Sequence, residues 1–165
     1  MADQGYKWRK QDREQAQASD SKTQMFVIDY GQGLRTPLLN IGTSWYRRIL
    51  KVSPYIIVTY SKGGKKSVRY DLSDETVCGK GADEVISYFY ANLLAKLEDD
   101  TEQLTVHYDG AAGQAANNPF MCFCADLLDE TSPFYLPQLK RIVLKRNPVG
   151  HTYCECDTGE YKPKI

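Results

Sequence analysis

Residues 25–33 read Met-Phe-Val-Ile-Asp-Tyr-Gly-Gln-Gly, an apolar run that ends in an aspartate and a glycine-rich turn. The short length and the branched side chains of the run predict a buried strand. Residues 104–110, Leu-Thr-Val-His-Tyr-Asp-Gly, repeat the arrangement with an alternating strand, an aspartate and a small-residue loop. In open α/β sheets, sites assemble at the carboxyl ends of strands. Asp29 and Asp109 are therefore the first candidate functional residues.

The remaining segments place these two strands in an α/β fold. The longer predicted helix is the clearest element, because its apolar residues recur with the 3.6-residue helical period. A group of strands followed by strands that alternate with helices predicts a meander whose later strands arrive through helical crossovers. The predicted elements are strands at Ser44–Val52 and Tyr55–Tyr60 with a turn at Pro54 between them, a pairing segment at Lys66–Tyr70, helices at Ala82–Leu97 and Phe120–Leu128, and a last strand at Leu139–Leu144.

Length and composition indicate one globular domain. The chain has 165 residues, 42% hydrophobic and 25% charged, which excludes collagen, coiled coil and wholesale disorder. No apolar run approaches the ~18 residues that span a bilayer, so we expect no membrane segment. Residues 1–24 are polar and are predicted to form a disordered or loosely helical lead-in to a domain that spans residues 25–165.

Charge leaves the question of nucleic acid open. Lys and Arg number 21, as do Asp and Glu, so net charge neither favours nor excludes a nucleic-acid partner. Basic pairs such as Lys145-Arg146 have two interpretations, a solvated surface or a stripe that follows phosphates. The pairs alone do not decide between them.

Five cysteines and no secretion signal predict reduced thiols in the nucleus or the cytoplasm. Cys122 and Cys124 fall in apolar helical sequence, where a free cysteine behaves as a small hydrophobe. We therefore expect at least one of them in the core and no disulfide. Zinc is an alternative, because this pair and the stretch His151-x2-Cys154-x-Cys156 supply thiols and an imidazole. The C-x-C spacing is narrower than that of structural zinc sites, which weighs against zinc.

Asp29 and Asp109 themselves support two interpretations. Two carboxylates side by side repel each other unless a divalent cation holds them, and hard oxygen ligands of this kind suit Mg²⁺ or Mn²⁺. In that interpretation the tail, residues 150–157, offers a third carboxylate. The alternative is that both aspartates end strands and cap turns, which is a common use of the residue.

Four blocks of sequence resemble one family in the expected order. Residues 108–118, YDGAAGQAANN, are similar to the D-N-C-x-G-Q-N-K-N-N signature of RNase H-like transposase cores of eukaryotic DNA transposons and of proteins descended from them. Residues 28–37, IDYGQGLRTP, resemble the D-x-x-Q-x-L-x-x-P block of that family. Residues 81–87, GADEVIS, resemble G-x-x-E-V-x-S, and residues 150–157, GHTYCECD, resemble G-H-T-x4-D.

The resemblance implies an α/β, RNase H-like core with a mixed five-stranded sheet and flanking helices. It also implies a carboxylate triad that holds two Mg²⁺ ions for phosphodiester chemistry on DNA, the work of a nuclease or a strand transferase. Carried over to this sequence, the triad is Asp29, Asp109 and Asp157, with Glu155 as an alternative third member, and the site neighbours are Gln114, Asn117 and His151.

The sequence departs from the family pattern in one loop. Gly110, Ala111 and Ala116 stand where the family has Asn, Cys and Lys. The loss of three polar positions leads us to expect weakened or lost catalysis in a truncated or domesticated core. The alternative function is a non-catalytic module that binds nucleic acid or protein.

Overall fold

The computed structural model describes residues 2–36, 50–110 and 113–147 together with Cys156. The described ranges have an α/β fold. The strand predicted at Ser44–Val52 is described from Leu50 onward, because residues 44–49 lie outside the described residues. The elements are α1 (Ala2–Gln17), β1 (Thr23–Tyr30), β2 (Leu34–Thr36), β3 (Leu50–Ser61), β4 (Lys65–Asp74), α2 (Ala82–Lys96), β5 (Gln103–Tyr108), α3 (Asn118–Asp126) and β6 (Arg141–Arg146).

Strand β1 is the centre of one mixed sheet. It runs antiparallel to β3 and parallel to β5, and β5 pairs in parallel with β6. Strand β4 pairs antiparallel with the other side of β3, while the short β2 pairs with β3 beyond the end of β1. Five strands therefore lie side by side in the order β4-β3-β1-β5-β6. This mixed five-stranded sheet with flanking helices confirms the RNase H-like fold class.

The sheet is covered on both faces, which explains the unbroken apolar run in β1. Phe26 and Ile28 join the larger core beneath α2 and α3, and we call this side the α2/α3 face. Met25 and Val27 join a smaller cluster with Ala16 of α1, and we call this side the α1 face. A strand that is buried on both faces is apolar at successive positions instead of alternating.

Aromatic rings connect the helices of the α2/α3 face to β1. Phe89 of α2 meets Phe26 of β1 edge-on, with ring centroids 5.9 Å apart, and meets Phe120 of α3 at 5.3 Å. All three rings are fully buried. Edge-to-face pairs of this kind add about 0.5–1.5 kcal/mol each beyond the burial of their surface.

Within the described ranges, no helix combines the length and the apolar character needed to cross a bilayer.

The amino-terminal segment differs from the expected disordered or loosely helical lead-in. Helix α1 spans Ala2–Gln17, and β1 already begins at Thr23. Ala16 is buried against the α1 face, and Asp12 lies 2.7 Å from both His107 Nε2 and Lys145 Nζ. Ala16, the two contacts of Asp12 and the hydrogen bonds between Gln17 and Gly64 attach the described part of this helix to the sheet. Because it lacks a broad apolar stripe, the hydrophobic pattern does not reveal it.

Pro54 lies inside a strand, so its prediction as a turn between two strands is wrong. Strand β3 runs unbroken from Leu50 to Ser61. The Pro54 carbonyl accepts a hydrogen bond from Gly31 N–H at 2.8 Å, and the N–H and C=O of one strand residue point to the same side. The missing N–H of Pro54 therefore faces Gly31, one residue beyond Tyr30 and Tyr55, the last register pair of β1 and β3. The proline removes the reciprocal hydrogen bond with Gly31 at the end of that ladder, where a missing donor is tolerated.

Helix α3 begins slightly earlier than predicted, because the Asn117 side chain caps it by accepting a hydrogen bond from Phe120 N–H at 3.0 Å. Cys124 is buried in the α2/α3 core and Cys122 is exposed on the same helix, which confirms that one of the pair is a core residue. The four cysteines that the structure describes form no disulfide with one another.

The contact between α1 and the sheet predicts a pH-dependent stability. Burial lowers the pKa of His107, against the opposing effect of Asp12. The unfolded chain therefore binds a proton more readily than the folded chain. We expect the free energy of unfolding to fall as the pH drops below about 6.5, the ordinary imidazole value, and to be unaffected by this residue well above it. Urea unfolding at closely spaced pH values measures the slope.

The two histidines of the chain provide a matched control for this prediction. Replacing His107 by Gln should flatten the slope between pH 7 and pH 5, while His151→Gln should leave the contribution of His107 intact. An unchanged slope in His107→Gln would show that this imidazole does not control the acid sensitivity.

Candidate functional site

Asp29 and Asp109 lie at the same edge of the sheet. Strands β1 and β5 are adjacent and parallel, and Ile28 stands directly opposite Tyr108. Asp29 follows Ile28 and Asp109 follows Tyr108. The two aspartates therefore stand next to each other on neighbouring strands, which lie about 4.8 Å apart. The repeated pattern of strand, aspartate and glycine loop thus predicted a real juxtaposition.

Each of these aspartates also turns back onto its own backbone. Asp29 Oδ1 accepts a hydrogen bond from Tyr30 N–H at 2.7 Å, and Asp109 Oδ1 accepts one from Gly110 N–H at 2.6 Å. This is the turn-forming use of Asp that the alternative interpretation required. The contact uses Oδ1 of each carboxylate, and because a carboxylate has about four lone-pair sites, a hydrogen bond of this kind is compatible with cation binding by the same group.

A small cleft of about 10 Å³ opens beside the two aspartates, with room for about one water molecule or ion. Gln114, from the loop before α3, lies in its wall. The cleft is lined by Ile28, Asp29, Tyr55, Val85, Tyr108, Asp109, Gln114 and Ala115. The structure thus brings together three of the residues that the resemblance assigned to the site or its neighbourhood.

Tyr55 supplies a buried polar group in the cleft wall. Its hydroxyl has no hydrogen-bond partner within the described part of the chain, although the side chain is 2% exposed. Burial raises the pKa of Tyr55 well above its ordinary value, so the phenol stays protonated at neutral pH. An unpartnered buried hydroxyl costs free energy, and a ligand or a water in the cleft would satisfy it. No sequence pattern distinguishes Tyr55 from the other tyrosines of the predicted strands.

Asn117, assigned as a site neighbour, has a defined structural contact. Its side-chain Nδ2 donates to the Gln114 carbonyl at 2.7 Å, and its Oδ1 accepts from Phe120 N–H. The residue therefore closes the loop that carries Gln114 and starts α3. Through these two bonds it positions Gln114 relative to the cleft.

The third predicted carboxylate, Asp157, lies outside the described residues, as do its alternative Glu155 and the predicted neighbour His151. Cys156, the residue before Asp157, is described. Its Sγ lies 3.7 Å from the Val27 carbonyl oxygen and 3.8 Å from that of Ile56, and Ile56 is the register partner of Asp29. Among the described residues there is no group of three His, Cys, Asp or Glu side chains that could hold a metal.

Arg146 is a basic neighbour of the site that the sequence did not single out. It ends β6, which is parallel to β5, and its Nη2 donates to the Gly110 carbonyl at 3.2 Å. A Cβ at position 110 would collide with the guanidinium, so Gly110 permits this close approach. The only sequence signal was the basic pair Lys145-Arg146 at the carboxyl end of a predicted strand.

Lys80 is a second cation beside the aspartate edge. Its Nζ lies 5.0 Å from the centroid of the Tyr30 ring, directly after Asp29 in β1. Burial lowers the pKa of Lys80, with a smaller contribution from Lys51. The Lys80 backbone has a φ of 60°, a conformation that is uncommon outside glycine and concentrates at functional sites. Nothing in the sequence marks this residue.

Glu84 explains the block that resembles G-x-x-E-V-x-S. Its carboxylate accepts hydrogen bonds from Gly79 N–H at 2.9 Å and Gly81 N–H at 2.8 Å. These bonds lower the pKa of Glu84, the Gly79 bond most strongly. The block is therefore a capping arrangement that fixes the start of α2 beside the cleft.

The cysteine pattern does not form one zinc site. Cys124 belongs to the α2/α3 core, whereas Cys156 packs against the cluster of the α1 face, on the other side of the sheet. Burial raises the pKa of Cys124 to about 12, and the thiolate is the form that binds metals. A zinc ion shared by Cys124 and Cys156 is therefore excluded.

Comparisons with known proteins identified no family model, no curated relative and no solved structure that matches this chain. The resemblance to transposase cores rests on the four sequence blocks and stays a prediction.

The juxtaposition of Asp29 and Asp109 predicts repulsion in the absence of metal. Replacing Asp109 by Asn keeps an oxygen for the Gly110 N–H bond and removes one charge. We expect the free energy of unfolding without metal to rise by roughly 0.2–1 kcal/mol, the range for opposed cross-strand charges. Chemical denaturation in EDTA at pH 7 measures the change.

Glu130→Gln serves as the control, because it removes one negative charge from an exposed turn outside the cleft. Equal effects of the two substitutions would show that net charge, and not the paired aspartates, is responsible.

Proposed function

We propose that this chain is a transposase-derived RNase H-like domain whose site supports metal-dependent phosphodiester chemistry on DNA. Asp29, Asp109 and Asp157 are the proposed metal-binding carboxylates. The observation that carries the proposal is the position of Asp29 and Asp109 at the carboxyl ends of two adjacent parallel strands, beside one cleft.

The donor groups at this edge fit a hard divalent cation. Carboxylate oxygens are the ligands that Mg²⁺ and Mn²⁺ prefer, and Mg²⁺ is commonly bound by one or two carboxylates with waters and phosphate oxygens completing the shell. Asp157 is proposed as the third carboxylate from the resemblance of residues 150–157 to the G-H-T-x4-D block. When bound, the metal supplies Lewis-acid stabilisation of charge on the phosphate.

The other residues around the cleft are suited to a phosphodiester. Gln114 and the protonated hydroxyl of Tyr55 offer hydrogen-bond donors in the cleft wall. Arg146 and Lys80 add positive charge at its rim. Donors and cations that converge on one edge favour binding of a polyanionic backbone, and such binding weakens with added salt.

The loop after Asp109 reduces the expected turnover. Gly110 lacks the polar side chain of the resembled family, and the Arg146 guanidinium takes the space above it. A fixed cation at Gly110, the residue after Asp109, repels a metal cation that approaches this loop. We therefore expect cation binding with little or no cleavage.

The alternative function is a non-catalytic module that binds nucleic acid or protein. The specific observation in its favour is the same contact of Arg146 with Gly110, because it places a permanent cation on the loop that directly follows Asp109. The odd number of cysteines in the sequence favours a reducing compartment, nuclear or cytoplasmic, for either function.

Metal binding is tested first by thermal unfolding with and without Mn²⁺. A cation that binds only the folded chain adds about 2.7 kcal/mol of stability at a hundredfold excess over its dissociation constant. We expect a clear rise in Tm for the natural chain and for Glu130→Gln, and a strongly reduced rise for Asp29→Asn and Asp109→Asn. No rise in the natural chain would contradict the metal site.

Cleavage is tested separately by nicking of supercoiled plasmid DNA with Mg²⁺ or Mn²⁺. We expect metal-dependent stabilisation without measurable nicking in the natural chain, because three polar positions of the resembled loop are absent. Asp157→Asn tests the third ligand in the thermal assay. Nicking that disappears in Asp29→Asn and in Asp109→Asn would establish a competent nuclease and overturn the expected loss of turnover.

A further inference from the structure

Strand β4 forms one outer edge of the sheet. Within the described ranges it pairs with β3 alone, over its full ten residues, Lys65–Asp74. A long edge strand offers a row of backbone donors and acceptors to another chain. Leu72 on this strand is 56% exposed, which is unusual for a large apolar side chain in a sheet. The feature lies apart from the aspartate edge and is independent of the proposed function.

The direction of the β4 backbone groups follows from two hydrogen bonds. Pro54 points its carbonyl at Gly31 beside β1, whereas Lys51 accepts from Glu75 N–H on the β4 side. Odd-numbered residues of β3 therefore face β4. Their register partners in β4 are also odd-numbered, as Arg69 opposite Ile57 shows. The backbone N–H and C=O groups of the even-numbered residues of β4 consequently point outward.

The sequence of β4 is self-complementary about Tyr70. Reading outward from this residue, the first pair is basic and acidic, the second is apolar on both sides, the third is serine on both sides, and the fourth is again basic and acidic. The pairs are Arg69 with Asp71, Val68 with Leu72, Ser67 with Ser73, and Lys66 with Asp74. In an antiparallel pair of identical strands centred on Tyr70, these are the residues that stand directly opposite each other.

We propose that β4 is a homodimer interface, in which two copies of this chain pair their β4 strands antiparallel around a two-fold axis at Tyr70. The two sheets then become one continuous sheet. A two-fold axis perpendicular to the sheet keeps each face of the two sheets continuous. Such an axis lies midway between two copies of the same residue, so one residue of β4 must stand opposite its own copy. Shifting the centre to Arg69 or to Asp71 would place that residue opposite its own copy, and opposed like charges destabilise a strand pair.

The side chains of both faces agree with this register. On the α1 face, Val68 and Tyr70 already pack against the apolar cluster. Leu72 would stand opposite the partner's Val68, so the apolar cluster would extend across the axis and cover it. On the α2/α3 face, Arg69 Nε binds Asp71 Oδ2 at 2.9 Å within one chain. In the dimer, Arg69 of each chain would stand opposite Asp71 of the other chain, so the two ion pairs would lie side by side with their charges alternating.

The opposite edge of the sheet lacks this property. Strand β6, residues 141–146, reads Arg-Ile-Val-Leu-Lys-Arg, and its charged residues are all basic. Antiparallel pairing of two β6 strands supplies no acidic partner for any of them. Charged edge residues of one sign are a known protection against edge-to-edge association. Self-complementarity therefore distinguishes β4 from the other edge of the same sheet.

The test uses two single charge reversals, Arg69→Asp and Asp71→Arg. The first chain carries two acids around Tyr70 and the second carries two bases, so each should be a monomer by sedimentation equilibrium at concentrations where the natural chain is a dimer. An equimolar mixture should recover the dimer, because every reversed residue then faces an opposite charge. A monomeric natural chain, a dimeric single variant or a mixture that stays monomeric would overturn the proposal.

Two further variants separate the interface from folding and from net charge. Leu72→Pro removes an outward N–H and leaves the ladder to β3 intact, so the dimer should be lost while the far-UV circular dichroism and the Mn²⁺-dependent Tm shift stay unchanged. Glu130→Lys reverses a charge on the exposed turn after α3 and should keep the dimer. Retention of the dimer in Leu72→Pro, or its loss in Glu130→Lys, would also overturn the interface.

Discussion

The fold depends on the complete enclosure of β1. This strand is hydrogen-bonded along both edges, to β3 and to β5, and both of its faces are covered by helices. At its start, the buried Gln24 amide is satisfied on both sides: Nε2 donates to Ser61 Oγ and to the Lys96 carbonyl, and Oε1 accepts from Glu98 N–H and Thr101 Oγ1. A fully satisfied buried amide joins β1 to three neighbouring elements and fixes its position along the sheet.

The candidate site is a consequence of that enclosure. Because β1 and β5 are parallel and in register, the residues that follow their buried runs emerge together at one end. The same end receives the capped start of α2, the Gln114 loop and the end of β6 with Arg146. Two carboxylates, two donors and two cations thus meet where the apolar core stops. The two cations offset the charge of the two carboxylates, and this arrangement is the basis of the proposal that this end of the sheet binds a phosphate backbone with little turnover.

The two faces of the sheet are built by different physical means. The α2/α3 face is held by aromatic contacts and a large apolar core. The α1 face has a smaller apolar cluster and the buried contact between Asp12, His107 and Lys145. Apolar burial is insensitive to pH, whereas a buried imidazole is not. The attachment of α1 is therefore the part of the fold that responds to mild acid.

The sequence alone determined the fold class and the pair Asp29 and Asp109, because both follow from local patterns: a doubly buried strand is a continuous apolar run, and a strand end is marked by Asp and Gly. It did not determine helix α1, the continuity of β3 through Pro54, or the positions of Arg146, Lys80 and Tyr55. These depend on which groups face each other across strands and loops distant in sequence. A proline is tolerated inside β3 because its missing N–H falls at the end of the ladder with β1, and Arg146 reaches the loop after Asp109 because Gly110 leaves room for the guanidinium. Such facts are properties of pairs of residues in space, which only the tertiary structure brings together.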